Sequence, residues 1–499
     1  MRKSKVILSG IAWTVINNIV SILYGIVSVP FLINYFGKEE YGLIGIALSV
    51  NVYILLLDMG MTNSNVRFFA EFLAKKEKDN IQKLFSLTHL LYLIIGLLNS
   101  IILLCLSFYV QDLFKVTPGQ AMILKNLIWI LAINATFSWI STCFDQFIRA
   151  NELIDWIKKR STILKIMQFV ILLATILFKL TIEFYFFGYV FLSTIILPLT
   201  VLKTKKITPY LKLNFGFDKI IFKTIFPYAL SIFSFSFFHF IVVNSRPLIL
   251  GNISGPGSVA DFSIMNTITL VVTVLSGSFM QVLLPILTKM VVKSENENIY
   301  RIVQNGTKYV NIILSVIIFT LIVGLKEIIT LYVGNEYLSL VPWLIIWLLT
   351  LLLGHRNVMT SLVFTENKLK SVAYMGALSM ILSFAAYIVF VPIYGVGGVV
   401  IGFAIHEIIH SLFYYIYFIP QKFRIDTKSL FFRHVFPTWL LLGGISGLFF
   451  YIQFNVNASI LLILMLKVCL LMIVMFFLIW FVLLNKKDKQ FLFSIIHNK

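Results

Sequence analysis

Apolar residues gather into long runs along this chain, divided by short polar segments. A helix rises 1.5 Å per residue, so about 20 apolar residues cross the roughly 30 Å hydrocarbon layer of a membrane. Fourteen runs approach or exceed that length: about 7–33, 41–60, 85–110, 120–146, 162–180, 183–202, 225–250, 259–288, 309–325, 338–358, 371–392, 396–420, 435–453 and 458–484. The pattern predicts an all-α polytopic membrane protein with about 14 transmembrane helices. The first run follows Arg2, Lys3 and Lys5 and is too long for a signal-peptide core, so it is expected to stay as the first span.

Positive charge sets the orientation. With the N-terminus in the cytoplasm, alternate loops collect nearly all of the 41 lysines and arginines. Lys75, Lys76, Lys78 and Lys83 fall on that side, as do Lys158, Lys159, Arg160 and Lys165. So do Lys289, Lys293, Arg301 and Lys308, then Arg356 and Lys370, then Lys422, Arg424, Lys428 and Arg433. The other side holds only Lys38, Lys115, Lys125, Lys179 and Lys326, while Arg246 and Lys467 lie within spans. A missed span would invert the bias in every later loop, and it never inverts. Both termini are expected in the cytoplasm.

Composition narrows the function classes. Only 12% of residues are charged and 59% are hydrophobic, against about 25% charged in soluble domains. The net charge of +20 is spread over short loops, so it marks topology and no nucleic-acid partner is expected. Cys105, Cys143 and Cys469 fall in spans without pairing motifs and read as small core residues. No segment on the outer side is long enough for a catalytic domain. Inside segments 61–84, 203–224 and 289–308 read as interfacial helices. In the first, Phe68, Phe69, Phe72 and Leu73 share a face that suits the headgroup layer.

Two segments resemble each other. Pro30-Phe31-Leu32 leads to Gly37 and Tyr41-Gly42-Leu43; Pro247-Leu248-Ile249 leads to Gly251 and Phe262-Ser263-Ile264. They end the first and seventh runs, so they suggest two halves related by an axis along the membrane normal.

Three segments carry a family likeness: residues 30–42 (PFLINYFGKEEYG), 56–67 (LLDMGMTNSNVR) and 391–398 (VPIYGVGG). On these the chain resembles the O-antigen-type polysaccharide repeat flippases of the multidrug/oligosaccharidyl-lipid/polysaccharide exporter superfamily. The resemblance implies two six-helix lobes around a central cavity, residues 1–210 and 211–425, with two further helices and a tail at 426–499. It implies a substrate of undecaprenyl diphosphate bearing a short oligosaccharide, moved outward across a bacterial cytoplasmic membrane by alternating access. A polysaccharide polymerase and chain-length machinery are the implied partners. Many relatives carry an acid near the outer end of the seventh span; here the stretch is Asn244-Ser245-Arg246-Pro247, so that acid's role does not transfer.

Charged and amide residues within the spans are the candidate site. Arg246 suits a diphosphate, since its guanidinium donates two parallel hydrogen bonds; the competing role is snorkelling to headgroups. Asn17, Asn18, Asn51, Asn244, Asn266 and Gln281 can line a sugar-binding cavity or bond between helices. Asp58 either neutralises Arg67, caps the next helix or couples a proton. Glu407 and Lys467 are further candidates for coupling or structural pairing. His406-Glu407-Ile408-Ile409-His410 is a literal H-E-x-x-H; no third ligand follows, which disfavours an intramembrane zinc protease. No nucleotide loop, nucleophile elbow or glycosyl-transfer acid pair is found, so neither cofactor nor metal is expected. A multidrug or other-lipid exporter is the nearest rival reading, and a polymerase is disfavoured for want of a large outer loop.

Overall fold

The computed structural model describes residues 2–366, 370–451, 459–486 and 488–490. Its regular structure is helical throughout. Among the described residues, twelve helical segments are long and apolar enough to cross a membrane, fewer than the fourteen expected. The shortfall lies at the seventh and thirteenth runs. The seventh is broken where Ser245 ends one helix and Pro247, which lacks an N–H, opens the next; its apolar part is the shorter Phe237–Ile253. The thirteenth is described only over Phe436–Tyr451, 16 residues.

The chain divides into two compact units, residues 1–267 with 386–399, and residues 268–385 with 400–499. Packing thus groups 211–267 with unit 1. Unit 1 holds α1 (Arg2–Phe36), α2 (Lys38–Ile54), α3 (Met61–Lys75), α4 (Lys78–Ser107), α5 (Pro118–Ala150), α6 (Ile154–Leu177), α7 (Ile182–Ile195), α8 (Leu197–Ile207), α9 (Lys219–Asn244) and α10 (Arg246–Ile253). It also takes the first turns of α11 (Pro256–Val292). Lipid is as apolar as the side chains, so helices here associate by close packing and hydrogen bonds. The α4/α5 crossing shows both. A Cβ on Gly96 would stand 2.8 Å from Thr136 Cα, and Ser100 Oγ bonds the Ala132 carbonyl at 2.7 Å.

The helix expected in the headgroup layer exists as α3, but its apolar face is covered by protein. Phe69 is fully buried and meets Phe147 edge-on at 5.4 Å, with Phe85 beside both. At 289–308 no separate helix forms: α11 runs on to Val292 and α12 (Asn296–Val323) starts four residues later. Of the cysteines, Cys143 is buried while Cys105 and Cys469 are exposed on their helices.

Unit 2 is built around α12, with α13 (Leu325–Tyr332), α14 (Val341–Leu351), α15 (Asn357–Val363), most of α16 (Lys370–Tyr394) and α17 (Val396–Leu412), then α18 (Phe436–Tyr451) and α19 (Ile460–Leu478). Asn311 on α12 is fully buried and accepts from the Trp439 indole N–H at 2.8 Å, fixing α18. Two buried ion pairs hold α19 and its tail. Lys467 Nζ meets Glu327 on α13, and Lys308 Nζ meets Asp488 beyond α19.

Asp488 also accepts from the Tyr309 hydroxyl at 2.8 Å and the Asn485 backbone N–H at 2.9 Å. Burial alone would raise its carboxyl, but Lys308, Asn485 and Tyr309 outweigh burial and hold it below the ordinary value of 3.8. A carboxyl lowered in the folded state stabilises above its unfolded pKa and loses that contribution as pH falls through the folded one. Tail docking should therefore be complete at neutral pH and weaken only below about pH 4. Asp488→Asn should loosen it at neutral pH by roughly 3 kcal/mol, read as faster proteolysis after residue 484. Unchanged cleavage would show that the pair does not hold the tail.

Candidate functional site

A polar cleft opens inside unit 1 between α2, α4 and α5. It encloses about 250 Å³ and is lined by Asn51, Asp58, Thr62, Asn99, Asn134, Ser138, Trp139 and Thr142. Its floor is a closed hydrogen-bond set. The Asp58 carboxylate accepts from Thr62 N at 3.1 Å, Thr62 Oγ1 at 2.8 Å and the Tyr92 hydroxyl at 2.7 Å. Gln146 Nε2 donates to Thr62 Oγ1 at 3.1 Å and receives Asn65 Nδ2 at its own oxygen at 3.0 Å. Asp58 thus caps α3 and makes no pair with Arg67, whose guanidinium lies 4.2 Å from the Tyr228 ring centroid. Higher in the cleft Asn99 is buried, and its Oδ1 has no hydrogen-bond partner. An amide oxygen left so is costly unless a donor arrives.

A second feature joins the α1–α2 and α10–α11 turns, at the end of unit 1 remote from the basic loops. Gly37 has φ 91° and Gly255 φ 89°, each directly before a new helix. The repeat seen in sequence is therefore real as a turn, but Gly37 corresponds to Gly255 and not to Gly251. Only glycine adopts such φ freely. The two turns interlock. Lys38 Nζ meets Asp261 at 2.7 Å, Glu39 accepts from Gly257 N at 3.1 Å, and Gly42 lies directly against the Pro256 carbonyl.

The fold scatters most of the sequence candidates. Arg246 is 5% exposed at the start of α10, so it does not reach out to headgroups; its Nε donates to Val243 O at 2.9 Å and its Cζ lies 5.1 Å from the Phe262 ring centroid. Asn244 bonds its own helix at Phe240 O, 2.8 Å away. Asn266 is exposed on α11, and Asn18 is half-buried on α1. Asn17 is buried and donates to Thr162 Oγ1 at 3.3 Å. Only Asn51 and Asp58 share the cleft; the side chain of Gln281 lies outside the described residues.

In unit 2 the loop arginine of the sequence reading is not in a loop. A 3-10 segment, Leu352–Arg356, separates α14 from α15 and turns Arg356 into the protein. Its Nη2 meets Glu407 Oε2 at 2.8 Å, and its Nη1 donates to the Glu407 carbonyl at 2.9 Å and to Ser411 Oγ at 3.0 Å. The H-E-x-x-H glutamate is thus engaged by a guanidinium, and His410 Nε2 lies 3.0 Å from Ser379 Oγ. That arrangement does not suit a zinc-site general base. Lys467 is likewise paired, with Glu327.

A family model described as "Polysaccharide biosynthesis protein" matches residues 7–291, more than half of the chain. The chain belongs to that family. A search of curated protein sequences returned no significant match. Among solved structures, this polysaccharide biosynthesis protein superposes on "Lipid II flippase MurJ, inward closed conformation" with a TM-score of 0.70 at 16% identity, over 93% of this chain and 98% of that one. It superposes on an inward-facing multidrug resistance MATE family transporter of the MOP superfamily with a TM-score of 0.63 at 15% identity, over 82% and 94%. For the MATE multidrug transporter DinF-BH the TM-score is 0.62 at 15% identity, over 87% and 96%. By family the chain is a polysaccharide biosynthesis protein, and it has the multi-pass helical fold of those membrane transporters.

Sequence reasoning missed Asn99, Asn134, Tyr92 and Gln146, because polar residues scattered singly on apolar helices give no local signal. It counted Arg356 and Lys165 as loop cations. The Glu407 carboxylate, 51 residues from Arg356, was the available hint of a buried partner.

Proposed function

We propose that the protein flips an undecaprenyl-diphosphate-linked oligosaccharide, an O-antigen-type repeat unit, from the inner to the outer leaflet of a bacterial cytoplasmic membrane. The observation that carries this reading is the amide-lined cleft within the spans of a polysaccharide biosynthesis protein. Amides donate and accept at once, which suits sugar hydroxyls. Fourteen spans, both termini in the cytoplasm, and lobes at 1–210 and 211–425 with helices at 426–499 belong to this reading.

The mechanism is alternating access. The interlocked turns at Gly37 and Gly255 serve as the outer gate, and substrate enters from the inner leaflet. Arg246, next to that gate, steadies the diphosphate, while Asn17, Asn18, Asn51, Asn244 and Asn266 receive sugar. Asp58 and the Arg356–Glu407 pair are the charges available for coupling; Lys467 acts structurally through Glu327. A polymerase and chain-length machinery take the product.

The test is leaflet accessibility of a labelled undecaprenyl-diphosphate oligosaccharide in proteoliposomes. Protein-dependent exposure of inner-leaflet label is expected. Arg246→Ala should reduce its rate about ten-fold or more, as loss of a charge-assisted hydrogen bond predicts, without removing protein from the membrane. A normal rate in that variant overturns the assignment of Arg246. The rival reading is a multidrug exporter of the same superfamily; transport of a cationic dye with no exposure of the lipid-linked sugar would favour it.

A further inference from the structure

We infer that unit 1 holds an anion site centred on Lys165 and walled by tyrosines of α1 and α7. Lys165 lies eleven residues into α6, beyond Lys158, Lys159 and Arg160. Its neighbours fix its depth. Asn17 bonds Thr162, which levels those residues on two helices that both run from the basic end. Tyr24 stands seven residues further along α1, about 10 Å, whereas Lys165 is only about 4.5 Å beyond Thr162. Yet Lys165 Nζ lies 4.9 Å from the Tyr24 ring centroid. The ammonium is therefore held against a tyrosine face between α1 and α6 rather than among the loop cations before it.

Among the described residues no carboxylate pairs with the ammonium. Arg160, Lys308, Arg356 and Lys467 each meet a carboxylate. Among the described residues Lys165 forms no salt bridge. It has the faces of Tyr24 and of Tyr189, the latter at 5.9 Å. Two such contacts are worth about 0.5–2 kcal/mol each, comparable to the roughly 2.5–3.5 kcal/mol that a lysine costs inside a membrane. They make the site tolerable while leaving the charge unneutralised.

Two further groups define what fits. The Tyr24 and Tyr185 hydroxyls bond each other at 3.2 Å. Gln168 donates to the Tyr189 carbonyl at 3.4 Å, and its own Oε1 is buried without a hydrogen-bond partner. The site thus combines a cation awaiting an anion with an acceptor awaiting a hydroxyl. Lys165, Tyr24 and Tyr189 are each half-buried, so a ligand can reach them. The matching chemistry is an anionic group carried beside hydroxyls. For the lipid-linked sugar of the flippase reading, on which the ligand class rests, that is either the carboxylate of an acidic sugar or a phosphate of the glycosyl diphosphate.

The experiment measures binding, separately from transport. Full-length protein in detergent is titrated with undecaprenyl diphosphate, which has no sugar, and with a free oligosaccharide containing glucuronic acid. Wild type, Lys165→Met and Lys165→Arg are compared; methionine keeps the apolar stem and arginine keeps the charge. Lys165→Met should weaken one ligand about ten-fold or more, the scale of a charged hydrogen bond, and Lys165→Arg should retain most of it. Loss confined to the lipid assigns a phosphate, and loss confined to the oligosaccharide assigns a carboxylate. Equal binding of both ligands by wild type and Lys165→Met, or binding of neither by wild type, overturns the site. Lys165-dependent binding in a protein that flips nothing keeps the site and overturns the transport reading instead.

Discussion

Arg356→Met is expected to destabilise the protein by about 3–5 kcal/mol, the usual result of removing one partner of a buried ion pair. The guanidinium makes three hydrogen bonds to α17, two to Glu407 and one to Ser411. Its loss leaves a carboxylate in the interior without its guanidinium partner, or forces that group to take up a proton. Glu407→Met should cost a similar amount by leaving the arginine. The double substitution should be nearer to wild type than either single, because two apolar chains of similar length remove the unpaired charge altogether. Thermal unfolding of the three variants in one detergent completes the cycle. Strictly additive losses would mean that the two residues are not coupled, and the 3-10 break at 352–356 would then need another reason to exist.

Gly42→Ala should do more to conformation than to folding. A Cβ at position 42 would overlap the Pro256 carbonyl, with Pro256 Cα 3.0 Å away. The obstacle is backbone on both sides, so no rotamer relieves it. The interlock of the two turns must then open, while α2 and α11 can each persist as helices. Overpacking costs about 1–3 kcal/mol, which shifts a two-state equilibrium by about 5- to 150-fold. Val259 is fully buried beside this contact. In a variant whose three native cysteines are replaced, Val259→Cys should resist a membrane-impermeant thiol reagent, and Gly42→Ala should make it reactive. Unaltered protection with unaltered transport would remove the junction from the mechanism.

The helices were largely legible in the sequence because apolar length is a strong local signal. Depth was harder to read. Arg356 ends the apolar run 338–358, so hydropathy places it at the surface; a short 3-10 segment, invisible to any window average, turns it inward. Lys165 follows three loop cations and was counted with them, although its ammonium lies against the Tyr24 ring. The repeat was found from its prolines, which differ in role: Pro30 lies inside α1, whereas Pro247 starts α10. The glycine that matters is marked by the helix start directly after it, at Lys38 or Pro256, and that was the better signal. The cleft was half visible. Asn51 and Asp58 were singled out, but Asn99 and Asn134 come from helices whose neighbours only the folded chain reveals.

The pairing of Lys467 with Glu327 bears on how the protein is made. A lysine near the middle of a helix opposes release into lipid by about 2.5–3.5 kcal/mol. Its carboxylate partner lies 140 residues earlier and has left the ribosome long before α19 is synthesised. Helix α19 therefore finds its counter-charge already installed. Insertion and docking of α19 become one event, with α13 as the template that receives it.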